Sequence, residues 1–378
     1  MAIEIAFWTA LGLIVYAHLG YPLLLAALSA LFGEGEPEPG PLSDEDLPSV
    51  TLAIAAYDEE DVIERKLANA MELNYPRERL RIVVASDGSG DRTVELARAA
   101  GADQVLELPR GGKVAALNAA AADADTDLLA FSDANSFWEP GALRALATRF
   151  SDERVGYVCG QVRFSGGEGG NQEGLYWRYE MAVRGHESRL AGVTAGNGAI
   201  YGVRREAYFD LHPARSHDLS FPYEITKRGW RCVYEPSARA NELMAPTIGG
   251  EFARKRRMMR GLWDVMLRWG MINPRGYSPG YYLEVLSHRL LRYLTPLLHL
   301  VALGANIALL GDGTVYTATL VAQGTFLVAA ALGRFVPLLP LRIAYYYFTV
   351  TASIAVGLWD RIRAGGIPIG WEKVEGTR

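Results

Sequence analysis

Leu128-Leu129-Ala130-Phe131-Ser132-Asp133-Ala134-Asn135 is an apolar run that stops on a carboxylate and an amide. A short apolar run bounded by polar turn residues reads as a buried strand, with Asp133 at its carboxyl tip. The pattern continues upstream. Val50 to Tyr57 is a β-branched and apolar run, and Glu59 to Leu73 follows with Val62, Ile63, Leu67 and Met71 at helical spacing. Arg81 to Ser86 reads as a strand, Asp91 to Ala100 as a helix, Gln104 to Leu108 as a strand, Lys113 to Ala122 as a helix and Asp127 to Ser132 as a strand. Such alternation predicts an α/β domain whose mostly parallel sheet is covered by helices on both faces. Ligands of these sheets bind at the carboxyl ends of the strands. Tyr57-Asp58-Glu59, Asp87 to Asp91 and Asp133 to Ser136 lie at those ends and are expected to line one crevice.

Outside this region the composition changes. Half of the 378 residues are apolar, and they are concentrated at the two ends. Ile5 to Phe32 carries almost no charge and exceeds the roughly 20 residues needed to cross a bilayer. A cleaved leader would begin with basic residues and end in small ones, whereas this segment follows Glu4 and has no clear cleavage site, so residues 1–32 are read as a retained membrane helix. Gly33 to Pro48 is rich in Gly, Pro, Glu and Asp and reads as a linker. Residues 49–250 have the composition of a soluble domain. Apolar runs return at Leu290 to Leu310, Val315 to Leu332 and Pro337 to Trp359, the last interrupted by Arg342, which places C-terminal membrane segments over 289–360 and a tail at 361–378.

Between domain and C-terminal segments, Glu251 to Gly270 sets Arg254, Lys255, Arg256, Arg257, Arg260 and Arg268 beside Leu262, Trp263, Met266, Leu267 and Trp269. This is the pattern of a basic amphipathic helix, and residues 251–288 are expected to lie at a membrane surface, with the Tyr- and Arg-bearing stretch Tyr281 to Tyr293 at the lipid headgroups. A cytosolic domain with four crossings would leave both termini outside, yet Arg361, Arg363 and Lys373 favour the inside. One segment is therefore expected to be re-entrant or interfacial, with Tyr21-Pro22 and Arg342 marking the candidates. The net charge of −5 argues against a nucleic-acid partner. The two cysteines, Cys159 and Cys232, lie in strand-like stretches and read as buried thiols.

Three segments carry chemistry. Asp133 at a buried strand tip can hold a divalent ion, Mg or Mn, which in turn can bridge the phosphates of a nucleotide sugar; turn formation or helix capping is the competing role. In Ala85 to Thr93 the glycines allow close approach of a ligand, Asp87 can accept from a base N–H, and Asp91 reads as a helix cap. Arg110-Gly111-Gly112-Lys113 sets a lysine at a glycine-preceded helix start, an arrangement suited to phosphate.

In this order and spacing the three segments resemble the family 2 glycosyltransferases, the group that includes cellulose, hyaluronan and chitin synthases. The resemblance covers about residues 48–262 and implies a nucleotide-binding domain of the GT-A type with, usually, a UDP-sugar donor. It implies that Tyr57, Glu59 and Asp87 meet the nucleoside and that Lys113 lies near the diphosphate. Asp133 is similar to the first carboxylate of the family's Asp-x-Asp motif, while the second position is Asn135, a weaker ligand that would face sugar or ribose. Gly196-Asn197-Gly198 resembles an acceptor-side loop, and His217-Asp218 the family's acidic pair, which implies Asp218 as general base and His217 beside the acceptor. Arg254 to Met258 falls where processive members carry Gln-x-x-Arg-Trp; Arg257 matches the arginine that clamps the diphosphate, Arg254 stands for glutamine and Met258 for tryptophan. The missing tryptophan favours transfer of one sugar to a lipid-linked, polyprenyl-diphosphate glycan over a processive synthase. The expected setting is a multi-pass protein of the cell membrane with its catalytic domain in the cytosol, in contact with membrane lipids.

Overall fold

A computed structural model describes residues 1–33, 40, 42–165, 170–243, 256, 259 and 261–364. Its centre is an eight-stranded sheet in the order β3-β2-β1-β4-β7-β6-β8-β5. The strands are β1 (Val50–Ala56), β2 (Leu80–Asp87), β3 (Gln104–Leu108), β4 (Leu128–Asp133), β5 (Phe137–Trp138), β6 (Val155–Ser165), β7 (Ile200–Arg204) and β8 (Arg231–Leu243).

β1 is buried along its whole length and its side chains alternate between two cores. Leu52, Ile54 and Ala56 join Ile63 and Leu67 on one face, while Ala53 and Ala55 join Val114 and Leu117 on the other. A strand covered on both faces loses polar alternation, which is why β1 reads as a continuous apolar run. Helices Ile63–Met71 and Lys113–Ala122 are those covers. Each fully buried Leu or Ile in the two layers contributes about 1.5–3 kcal/mol relative to exposure.

The first half of the sheet is as the alternation predicts: β1 pairs in parallel with β2 and β4, and β2 with β3. The chain winds outward from β1 through β2 to β3, then returns to place β4 on the other side of β1. That reversal leaves a crevice beyond the carboxyl ends of β1 and β4. In register, Ala56 faces Ser86 and Ala55 faces Asp133, so the tips of β1, β2 and β4 are level. In the second half two strands turn against that direction. β7 runs antiparallel to both β4 and β6, and β5 antiparallel to β8. β6 and β8 pair in parallel, so the sheet is mixed but mostly parallel, as expected.

The helix expected from Glu59 begins only at Ile63. Asp58 takes a left-handed φ of 50°, and the amides of Glu59 and Glu60 bond across to Thr93 Oγ1 and Asp91. Asp91 also accepts the Thr93 amide just before helix Thr93–Ala99, whose N-cap position is Arg92, one residue later than expected. The cysteines are buried and free, and burial pushes the Cys159 thiol up to about 11 and Cys232 to about 12.

Among the described residues four helices are long and apolar enough to cross a membrane: Ala2–Phe32, Pro279–Ala308, Thr314–Leu332 and Leu339–Arg363. Neither Tyr21-Pro22 nor Arg342 breaks its helix; a widened turn over Tyr16–Gly20 takes up the proline. The second of these helices begins earlier than its apolar run suggests.

Two expectations about the intervening region are corrected. Leu262, Trp263 and Met266 do not face outward: they are buried with Tyr223, Val285, Tyr293 and Ile354 between the domain and the apolar helices. Of its described cations, Arg256 is bidentate to Asp360 at 2.5 and 2.7 Å while Arg268 stays exposed, and the buried Asp264 accepts from Arg361 of the last apolar helix at 2.7 Å. Leu262, Trp263 and Met266 thus serve protein docking, which periodicity cannot distinguish from lipid docking, while Leu267 stays exposed. Nor does Tyr281 to Tyr293 present free cations to headgroups, because Tyr281 and Arg289 are buried against the catalytic domain.

Candidate active site

Four segments meet beyond the strand tips. The first is built on Asp87 at the end of β2, which is 1% exposed. Its Oδ1 accepts the amides of Gly111 and Gly112 at 2.7 and 2.9 Å, and its Oδ2 lies 3.2 Å from Arg110. Gly112 has φ 90°, a conformation that costs glycine little, and it lets the turn deliver both amides to one oxygen. Arg110 in turn lies flat over Tyr57, its guanidinium carbon 3.2 Å from the ring centroid. Asp87 therefore anchors this turn through Oδ1, and Arg110 links it to Tyr57. Glu59 is also buried, and its carbonyl accepts the amides of Val62 and Ile63 at the helix entry.

The second and third segments meet in an ion pair between Lys113 Nζ and Asp133 Oδ1, linking the helix after the glycine turn to the tip of β4. Lys113 also donates to the carbonyl of Gly198 at 3.2 Å. Asn135 lies half-buried in the turn after Asp133. Below that turn the fully buried Lys66 donates to the Ser136 carbonyl at 2.5 Å, and burial lowers its ammonium to about 7 against the opposing pull of Asp133 and Glu242. Nothing in the spacing of the sequence marks Lys66, which reads there as a solvated helix residue.

The fourth segment carries the loop 196–198 and helix His217–Lys227. Gly196 donates its amide to the Asp218 carbonyl at 2.8 Å, and a Cβ on Gly198 would stand 3.6 Å from Lys113 Nζ and 4.0 Å from the Asp218 Cβ. Asp218, half-buried, thus lies beside Lys113 and Asp133, residues distant in the chain. Two neighbours do not act as expected. Asn197 turns inward and donates to the Gly160 carbonyl at 2.5 Å. His217 is buried with Phe131, Tyr201 and Phe221, its Nδ1 2.5 Å from the Tyr201 hydroxyl. Burial, with Lys113 and Arg215 nearby, holds its imidazole well below the ordinary pKa, so it is a neutral core group and not an acceptor contact. Successive helix residues point about 100° apart, and the structure buries His217 while leaving Asp218 partly exposed. Arg254 and Arg257 lie outside the described residues.

Gly196 has no room for a side chain, since a Cβ there would overlap the Tyr157 hydroxyl. Gly196→Ala is expected to destabilise the protein by about 1–3 kcal/mol and to lower turnover by displacing the loop. Gly185→Ala, in an open helical position, should do neither. Thermal unfolding and turnover of the two variants check this.

Residues 51–209 match the family model described as glycosyl transferase family 2. The poly-β-1,6-N-acetyl-D-glucosamine synthase of Staphylococcus aureus strain MSSA476 is 26% identical over 237 residues, 59% of this chain and 57% of the relative. The probable glycosyltransferase YdaM of Bacillus subtilis is 33% identical over 127 residues, 31% of this chain and 30% of that one. The chain thus spans little more than half the length of the first of these relatives. In fold, the mannosyltransferase PcManGT of Pyrobaculum calidifontis, solved with GDP-Man and Mn2+, superposes with a TM-score of 0.71 at 23% identity, covering 93% of this chain and 97% of its own. The match extends beyond the catalytic domain to the apolar helices. Residues 51–209 are thus a glycosyl transferase family 2 region by sequence, within a chain that shares the fold of that mannosyltransferase and carries N- and C-terminal apolar helices.

Proposed function

We propose that the enzyme transfers one sugar, with inversion, from a UDP-sugar to a lipid-linked glycan such as a polyprenyl-diphosphate saccharide. The observation that carries this reading is the meeting of Asp218, Lys113 and Asp133 around Gly198. Transfer requires the acceptor hydroxyl to lose its proton as its oxygen attacks the anomeric carbon, while the bond from that carbon to the diphosphate breaks. A carboxylate at position 218 takes the proton, and the Lys113 ammonium offsets charge on the departing diphosphate. Arg110 over Tyr57 borders the place for the nucleoside, with Asp87 fixing the turn behind them and Asn135 on the side of the ribose or sugar. Arg257, with Arg254 beside it, is the further diphosphate clamp in this reading, Gly198 leaves space for the acceptor, and Gly196 packs on Tyr157 behind it.

Among the described residues no three acidic, His or Cys side chains gather into a metal cage. A hard cation such as Mg or Mn commonly uses one or two carboxylates together with substrate phosphates, and Asp133, partly exposed at the β4 tip, fits that half-site. When bound, the ion would supply Lewis-acid stabilisation to the diphosphate. The apolar helices support a location in the cell membrane, with the domain on the cytosolic side where nucleotide sugars are made.

The likeness to poly-N-acetylglucosamine synthases favours a second reading, processive polymer synthesis. Product analysis separates the two. Purified protein incubated with UDP-sugars, with GDP-mannose as a further donor, and with short polyprenyl-linked acceptors is expected to release UDP and extend the acceptor by one residue. Chelation should abolish that release, and Mg or Mn restore it. A polymer would establish the processive reading, GDP release alone would replace the donor, and turnover unaffected by chelation would remove the metal.

A further inference from the structure

Between the catalytic domain and the apolar helices lies a chain of buried polar side chains that sugar transfer, as described above, does not use. Its centre is Glu187, near the end of helix Gly170–Arg189 and fully buried. Glu187 accepts from the hydroxyl of Tyr21 at 3.0 Å, on the first apolar helix, and stands 2.7 Å from His288 Nδ1, on helix Pro279–Ala308. It also accepts from the Thr194 hydroxyl at 3.1 Å and the Thr194 amide at 3.3 Å. The Thr194 hydroxyl receives Arg289 Nε at 2.8 Å, and Tyr281 donates its hydroxyl to the neighbouring Val193 carbonyl at 3.1 Å. Glu180, one level along the same helix, pairs with Arg292 and lies 3.6 Å from His288 Nε2. Burial pushes both carboxyls up, but the groups opposite them, led by Arg292 at Glu180 and His288 at Glu187, hold both below the ordinary range.

A buried charged cluster of this kind is costly to desolvate and is weak evidence for stability. Its position suggests another use. Two residues beyond Thr194, Gly196 donates to the Asp218 carbonyl, and Arg184 of the same helix donates to the Gly196 carbonyl at 3.3 Å. One short stretch of backbone is thus tied at one end to two apolar helices and at the other to the helix start bearing Asp218.

We propose that Thr194 and Glu187 are positioning residues that register segment 193–198, and through it Asp218, against the two apolar helices, so that the acceptor side of the site is set by the docking of those helices. The proposal rests on the reading of Asp218 as base. It concerns geometry on the acceptor side, so its signature is a selective loss of turnover: small misplacement of a reacting group costs rate, and the strand tips of β1, β2 and β4 lie outside the segment, which meets the donor side only where Lys113 reaches the Gly198 carbonyl.

The test uses the full chain. Thr194→Val keeps the shape and removes the bridging hydroxyl. It is expected to lower kcat for transfer about 10- to 100-fold with donor KM and nucleotide affinity within about twofold, and Thr194→Ser should restore most of the rate. Tyr281→Phe, which releases the same segment from Val193, should act in the same direction and carries the test if Thr194→Val does not fold. A Thr194→Val enzyme with kcat within twofold of the parent overturns the proposal, as does a loss matched by equal weakening of donor binding or a serine variant that fails to recover. The two readings fail on different variants: normal turnover in Asp218→Asn ends the base assignment, and normal turnover in Thr194→Val ends this one.

Discussion

Asp218→Asn is expected to lower sugar transfer by about 10²–10⁴-fold while leaving nucleotide binding unchanged, the range that removal of a general base commonly produces. The amide is isosteric and keeps the backbone in place, so the carbonyl of residue 218 still receives the Gly196 amide. Only the capacity to accept a proton disappears. Folding should be preserved, because the Asp218 side chain is half-buried at a helix start and the helix interior rests on Phe221, Tyr223 and Ile225. The measurement is donor-dependent product formation beside equilibrium nucleotide binding for the same preparation. Near-normal product formation would remove Asp218 from the chemistry; loss of nucleotide binding in parallel would place it on the donor side instead.

Lys113→Met is expected to reduce turnover by about 10²–10³-fold, the cost of removing one preorganised charge from a developing anion. Methionine keeps much of the stem length, so the change isolates the ammonium. Lys113 also pairs with Asp133 and reaches the Gly198 carbonyl, so its loss frees the Asp133 carboxylate and slackens the tie to loop 196–198. Donor affinity should therefore weaken along with kcat, unlike the Thr194 variant. Lys113→Arg should recover little, since a planar guanidinium cannot replace a compact ammonium between a carboxylate and a carbonyl. Initial rates across donor concentration decide the matter, and an unchanged kcat would refute the assignment.

Much of this architecture is legible in the order of residues. The runs Val50–Ala56 and Leu128–Asp133 announce buried strands because a strand covered on both faces has no polar alternation to preserve. Lys113–Ala122 is bounded as expected, by a glycine turn before it and aspartates after it. The long apolar runs mark membrane-length helices by composition alone. Asp133 and Lys113 stand out because a strand tip and a glycine-preceded helix start are local features with local signatures.

What escaped the sequence is whatever depends on which surface meets which. Leu262, Trp263 and Met266 show the same periodicity whether they face lipid or protein, and only packing against Tyr223 and Tyr293 reveals the latter. Adjacent residues His217 and Asp218 resemble each other in polarity, yet one closes an aromatic core and the other borders the crevice. The Glu187 cluster draws its members from positions 21, 187, 194, 288 and 289, separations that no local pattern spans. By itself, then, the sequence determined the first four strands, the helices between them, the apolar spans and the kinds of group available for catalysis, since these follow from near-neighbour periodicity and turn chemistry. The tertiary structure alone decided the reversed direction of β5 and β7, the inward turn of His217 and Asn197, and the buried link from the apolar helices to loop 196–198, because each arises from contacts between segments far apart along the chain.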